Sequence, residues 1–153
     1  MTTELELAVH AAVASVDDPE YPDVSIVDLG LLESLVVDSA GVADVGLIPT
    51  FSGCPALKII ADEVRVAVAA VGGINDVNVE WLQSPVWSTE RVSADARSQL
   101  GSEFTVAVQL GQQPPTCPRC GQPTSEVSMF GPSRCRSVNR CTSCAETVEV
   151  LRS

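Results

Sequence analysis

Rings are scarce in this sequence: aromatic residues make up 4 % of it, and histidine occurs once. A core with so few rings has to be built from Val, Leu, Ile and Ala, within a hydrophobic content of 45 %. The lone histidine, His10, falls by periodicity on the first helix. It reads as an incidental residue, which leaves a Cys–His nucleophile without its base. Long apolar runs are missing too: none approaches the roughly 20 residues that cross a bilayer. The opening stretch MTTELELAVH carries glutamates where a secretory leader needs positive charge. A cytoplasmic protein with no membrane association is therefore expected.

Basic residues are the third scarcity. Residues 1–113 hold 4 Lys/Arg against 17 Asp/Glu, a net of −13, whereas residues 114–153 hold 5 against 3, a net of +2. A domain this acidic repels phosphate backbones, which argues against a nucleic-acid partner. At 153 residues the chain has room for one ordinary domain and a small appendage.

Cysteine is what the sequence does have, and it is concentrated. Five of the six lie between 117 and 144. CPRCG (117–121) and CTSC (141–144) make two C-x2-C pairs separated by twenty residues. Each pair can present two thiolates from one turn, so Cys117, Cys120, Cys141 and Cys144 can close a tetrahedral shell. SEVSMF and ETVEVL read as strands, which makes a zinc ribbon. A tail of 38 residues lies near the roughly 40-residue limit below which an apolar core seldom suffices. Structural zinc contributes about 10–16 kcal/mol at neutral pH, enough to decide whether it folds. Two disulfides are the alternative, disfavoured in a reducing compartment, and a tetrathiolate iron site is chemically open as well. Cys135 is a fifth thiol, either a spare buried residue or an alternative ligand or redox group. Arg134, Arg136 and Arg140 beside it form the one basic cluster, a solvated face or a dock for an acidic partner.

The remainder alternates helix and strand. Thr3 and Glu6 have capping-box spacing, and Leu5, Val9, Ala12/Val13 and Val16 follow at helical period. Pro19 and Pro22 in DDPEYPD (17–23) end that pattern. VSIVDLGLLESLVVD (24–38) reads as one or two strands, and VADVGLIPTF (42–51) as another with Ala43, Val45 and Leu47 on one face. Leu57, Ile60, Val64, Ala67/Val68 and Val71 recur at helical spacing until Gly72-Gly73. INDVNVEWL (74–82) alternates again, with Val77, Val79 and Trp81 on one face. Residues 84–100 read as a loop and a short helix capped by Ser93. EFTVAVQL (103–110) reads as a strand or covering segment, and GQQPP (111–115) as a linker. The expectation is a small two-layer α/β sandwich over 1–110, a linker over 111–115 and a four-cysteine zinc ribbon over 116–153.

Cys54 stands apart from the other cysteines, in FSGCPALK (51–58). With Pro55 at the first helical position, Cys54 occupies the N-cap, where free N–H groups and the helix dipole favour thiolate. A small buried residue filling a tight turn is the plainer reading. The acidic loop of Asp17, Asp18, Glu20 and Asp23 is likewise either a cation site or a helix-ending turn fixed by Asp18.

DDPEYPDVSIVDLGLLESL (17–35), PTFSGCPALKIIADEV (49–64) and VEWLQSPVWSTE (79–90) resemble the metal–sulfur cluster biosynthetic family, the SufT-like proteins. That family's Asp-Pro-Glu loop matches Asp18-Pro19-Glu20, and its Gly-Cys-Pro cysteine matches Cys54. CPRCG…VSMFGPSRCRSVNRCTSC resembles one branch, the PaaD-like (PaaJ-like) proteins of phenylacetate degradation. SEFTVAVQLGQQPP is longer and more apolar than the linker this resemblance leads one to expect. The resemblance implies an accessory role, not an enzymatic one, with the phenylacetyl-CoA ring epoxidase: assembly or delivery of an iron–sulfur cluster to its reductase. It implies Cys54 as the transient cluster ligand, Asp18 and Glu20 shaping the pocket, and the reductase and oxygenase components as partners. One Cys54 per chain cannot complete a cluster's thiolate shell, so a homodimer or a partner's ligands are implied. A non-catalytic adaptor docking oxygenase to reductase is the alternative.

Overall fold

The computed structural model describes residues 3–51, 53–131 and 136–152. The chain forms two compact units, Met1–Trp87 and Ser88–Ser153.

In the first unit, helix α1 (Glu4–Ala14) starts at the expected capping box. Thr3 Oγ1 accepts from the Glu6 N–H at 3.1 Å, and Glu6 Oε2 accepts from the Thr3 N–H at 2.9 Å. The Thr3 N–H, and then the Val37 N–H, hold the Glu6 carboxyl below its ordinary value of 4.5. Thr3→Ala should therefore cost about 1 kcal/mol, the usual worth of a cap, measurable by urea unfolding. Because the folded-state pKa is depressed, Glu6 contributes above its unfolded pKa, and the contribution fades as pH falls through the folded value.

A short hairpin follows, β1 (Asp17–Asp18) with β2 (Tyr21–Ser25). The run 24–38 divides at a turn, because Ser25 Oγ accepts from the Val27 N–H and Gly30 takes φ 81°. Strand β3 (Leu32–Val37) then pairs antiparallel with β4 (Val42–Leu47). Helix α2 (Ala56–Ala69) carries the chain to β5 (Asp76–Trp81), which lies parallel to β4. The register sets Ala43, Val45 and Leu47 beside Val77, Val79 and Trp81. Ala43, Val45 and Leu47 are buried, as are Ile60, Ala61, Val64 and Val68 of α2. This is the expected helix layer on a sheet, with strand order β3-β4-β5.

The second unit begins well before the expected ribbon. Helix α3 (Ala94–Phe104) is capped by Ser93, whose Oγ accepts from the Ala96 N–H at 3.1 Å. It ends at Thr105 in the left-handed region (φ 55°, ψ 40°), and β6 (Val106–Val108) follows directly. Strands β7 (Thr124–Ser128), β8 (Arg136–Cys141) and β9 (Thr147–Leu151) complete a sheet of order β6-β9-β8-β7. The two compact units meet between 87 and 88, and within the second β6 bonds in parallel to β9 and buries Val106 and Ala107. That pairing accounts for the length and apolarity of SEFTVAVQLGQQPP, and makes GQQPP a loop within the unit.

Strand β8 corrects the reading of the basic cluster. Arg136 is 8 % exposed and pairs with Glu149 on β9, so it is a cross-strand ion pair rather than part of a solvated face. Arg140 is exposed. Arg134 and Cys135 lie outside the described residues. Among the described residues no helix is long and apolar enough to cross a membrane.

Candidate functional site

The two C-x2-C turns meet. The ligand atoms of Cys117, Cys120, Cys141 and Cys144 all lie within 4.8 Å of one another. Cys117 Sγ is 3.8 Å from Cys144 Sγ, and Cys120 Sγ is 3.4 Å from Cys141 Sγ. A zinc–sulfur bond of about 2.3 Å in a tetrahedron separates sulfurs by about 3.8 Å, so this geometry fits a metal. It does not fit disulfides, whose sulfurs lie about 2.05 Å apart.

The turns are built alike. Cys117 N–H donates to Gln122 O at 2.8 Å and Cys141 N–H to Glu146 O at 2.9 Å. Arg119 N–H donates to Cys117 Sγ at 3.4 Å, and Ser143 N–H to Cys141 Sγ at the same distance. The residue after each pair takes a left-handed conformation, Gly121 at φ 76° and Ala145 at φ 61°. Alanine pays a Cβ clash there that glycine does not. Ala145→Gly should therefore stabilise the metal-loaded unit by about 0.5–1 kcal/mol, after allowing for glycine's larger unfolded-state entropy. A thermal melt of the metal-loaded variant checks it.

Electrostatics favour a cation here. N–H groups of Cys144 and Ser143 donate to Cys141 Sγ and bring its pKa down to about 6. Cys144, although the Glu146 N–H donates to it, is pushed up to about 12 by proton sharing with Cys141 and by desolvation. Without a metal the sulfurs share protons, and four thiolates this close require a positive ion between them.

Packing around the centre ties it to the whole unit. Cys117 and Cys141 are buried with Ala107 of β6 and with Val148 and Val150 of β9. Arg119, between the first two cysteines, donates to Thr105 Oγ1 at 3.0 Å and pairs with Glu146 at 3.8 Å. Thr124 Oγ1 donates to Pro115 O and accepts from Asn139 Nδ2. Sequence reasoning missed these supports, since each joins residues from separate segments.

Cys54 lies in the other unit, half-buried and outside any disulfide. The helix starts one residue later than expected: Pro55 (φ −66°, ψ −17°) is the N-cap, and Cys54 precedes it. Cys54 N–H donates to Phe51 O at 3.2 Å, and Leu57 N–H donates to Cys54 O at 3.3 Å. Gly53 is explained by its neighbour, because a Cβ there would lie 2.8 Å from Phe51 Cε1.

Asp18 and Glu20 sit on the β1–β2 turn. Asp18 Oδ1 accepts from the Glu20 N–H at 2.8 Å, the turn-fixing role expected of it. Asp18 lines an open cleft of about 610 Å³ with Asp17, Pro19, Asp62, Glu63 and Val66, and Cys54 does not line it. A second cleft of about 590 Å³ includes Phe51 and Leu57, the two backbone partners of Cys54, together with Trp81, Val86 and Trp87. Cys54 itself lines neither cleft, but its backbone ties it to two residues of the aromatic one. His10 is exposed on α1.

Comparison with known proteins finds a separate match for each part of the chain. The profile of the iron–sulfur cluster assembly protein family matches residues 6–81, and that of the PaaD zinc β-ribbon domain matches residues 101–152. The chain is 32 % identical over 152 residues to an Escherichia coli K12 protein provisionally named as a component of 1,2-phenylacetyl-CoA epoxidase, covering 94 % of this chain and 90 % of that one. It is 34 % identical over 101 residues to an Fe–S protein maturation auxiliary factor of Bacillus subtilis, covering 66 % of this chain and 98 % of that one. Among solved structures, a domain of unknown function from Bacillus anthracis matches with TM-score 0.59 at 33 % identity, over 63 % of this chain and 92 % of that one. A conserved hypothetical protein from Thermotoga maritima matches with TM-score 0.56 at 28 % identity, over 66 % and 98 %. An α/β unit carrying the assembly-family motifs, joined to a ribbon with a metal-binding cysteine cluster, places this chain in the iron–sulfur cluster assembly protein family, in the branch bearing a PaaD zinc ribbon.

Proposed function

We propose that this protein assembles or delivers an iron–sulfur cluster for the reductase component of a phenylacetyl-CoA ring epoxidase. The observation that carries the reading is Cys54: a thiol outside the metal centre, at a helix start, within the stretch matched by the assembly family. The Bacillus subtilis relative is named for iron–sulfur maturation, and the Escherichia coli relative, which aligns along nearly the whole chain, for the epoxidase. Together they favour a maturation factor serving that oxygenase over a catalytic subunit.

In this reading the cluster is cargo. Cys54 supplies one thiolate to it, and Asp18 and Glu20 shape the approach through the β1–β2 turn. The remaining ligands come from a second copy in a homodimer or from the reductase. Cys117, Cys120, Cys141 and Cys144 hold one structural zinc, whose preference for a closed four-sulfur tetrahedron matches the site.

Anaerobic reconstitution with iron and sulfide, followed by transfer to apo-reductase, tests the proposal. Wild-type protein should acquire the visible absorption of a cluster and lose it to the reductase, and Cys54→Ser should do neither. Equal transfer by the variant would instead favour a docking adaptor, in which Cys54 only packs.

A further inference from the structure

The aromatic cleft beside Cys54 has no assigned role. Of the six aromatic residues in the chain, Phe51, Trp81 and Trp87 line it, and these include both tryptophans. None of its ten lining residues is charged, in a unit where residues 1–87 hold 2 Lys/Arg against 14 Asp/Glu. The walls are fixed in advance: Trp87 is 3 % exposed, and its indole N–H donates to Leu29 O at 2.8 Å. At the mouth, Val86 is 84 % exposed. A chain short of rings that leaves these apolar groups facing an open cleft has a surface suited to an apolar anchor.

We infer that this cleft docks the protein that exchanges the cluster with Cys54, by an aromatic or large aliphatic side chain flanked by Lys or Arg. The inference rests on the cluster-carrier reading above. Volume and lining set the anchor: about 590 Å³ holds one or two large side chains, and Thr50 and Gln83 are the only polar side chains in the lining. So few polar groups cannot orient a charged or hydroxyl-rich small molecule. Charge complementarity sets the flanks. With 14 Asp/Glu against 2 Lys/Arg, residues 1–87 repel an acidic segment and attract a basic one at long range. Position sets the purpose, since Cys54 is hydrogen-bonded through its backbone to two residues of the lining, Phe51 and Leu57. An anchor seated there brings its own chain alongside the thiol.

Because both tryptophans line the cleft, their emission reports its occupancy in the full-length, metal-loaded protein. The probe is the peptide acetyl-Arg-Gly-Phe-Leu-Gly-Lys-amide. A saturable change in emission is expected, weakened at least tenfold when Arg and Lys become Glu, and lost when Phe and Leu become Ala. Val86→Arg, at an exposed position that leaves the core intact, should weaken it at least tenfold. Cys54→Ser should bind the peptide as wild type does, while losing cluster uptake if the carrier reading holds. Retained uptake by that variant would sink the carrier reading, whatever the peptide does. No saturable response to the cationic aromatic peptide, or equal binding of its glutamate version, overturns the cleft proposal. So does an emission change on simple dilution of the protein, which would make the occupant a second copy.

Discussion

Replacing Cys117 by Ser should release the metal and unfold residues 88–153 while leaving residues 1–87 folded. Cys117 is 2 % exposed, and its sulfur sits among Ala107, Cys141, Val148 and Val150. Val92, Ala96, Leu100, Val106 and Leu151 of the same unit are buried too, which is still a small core for a unit with strands as short as three residues. Structural zinc contributes about 10–16 kcal/mol at pH 7, more than the few kcal/mol so small a core can supply. Serine oxygen is a poor substitute for thiolate, so losing one of four ligands removes most of that term. Cys144→Ser should behave the same way despite its exposed position, because ligation rather than burial is what it contributes. Elemental analysis of wild type should find about one zinc per chain. Protection of the β8 and β9 amides from hydrogen exchange should disappear in either variant. Emission from Trp81 and Trp87, both in the first unit, should stay unchanged. Acid should mimic the mutations, because protons compete with the metal for the thiolates and release it as pH falls. A Cys117→Ser protein that keeps both its metal and its β8–β9 protection would mean the four ligands are chosen wrongly.

The ribbon's dependence on β6 shows where sequence reasoning stopped. C-x2-C spacing is a local signal with a strict chemical meaning, and the four sulfurs do converge. Parallel pairing of Val106–Val108 with β9 is not local: it joins segments about forty residues apart, and the pattern within each marks a strand without naming its partner. A Pro-rich loop then follows β6 and imitates a domain linker. Arg136 misled in another way. Beside Arg140 it reads as surface charge, and only the β8–β9 register sets it against Glu149. In the first unit most of the layout was legible, because each element carries its own punctuation. Thr3 and Glu6 mark the start of α1, Pro19 and Pro22 its end, and Ala43, Val45 and Leu47 the face of β4 that is buried. The aromatic cleft was not legible. Its residues come from the turn before α2, the helix itself, the end of β5 and the loop beyond, and only folding assembles them. Four of the six aromatics falling within one α/β unit of a ring-poor chain were the available hint.

Cys54→Ser should leave the protein folded and metal-loaded, yet cells relying on it should accumulate epoxidase reductase without its cluster. Serine is nearly isosteric with cysteine, and the turn is held by main-chain groups: Cys54 N–H to Phe51 O, Leu57 N–H to Cys54 O, and the fixed φ of Pro55. These main-chain bonds persist in the variant, so it should fold, with a loss of stability of about 1 kcal/mol, the usual size for a point substitution. The chemistry should change almost completely, because a serine hydroxyl is not ionised near neutral pH and has little affinity for iron. Accessibility separates this thiol from the four metal-site thiols. Brief treatment of native, metal-loaded protein with iodoacetamide should label half-buried Cys54, while metal coordination protects Cys117, Cys120, Cys141 and Cys144. Growth on phenylacetate and the iron content of purified reductase then measure the consequence. If the Cys54→Ser strain grows at the wild-type rate with fully loaded reductase, the thiol fills space, and the docking-adaptor reading replaces the carrier one.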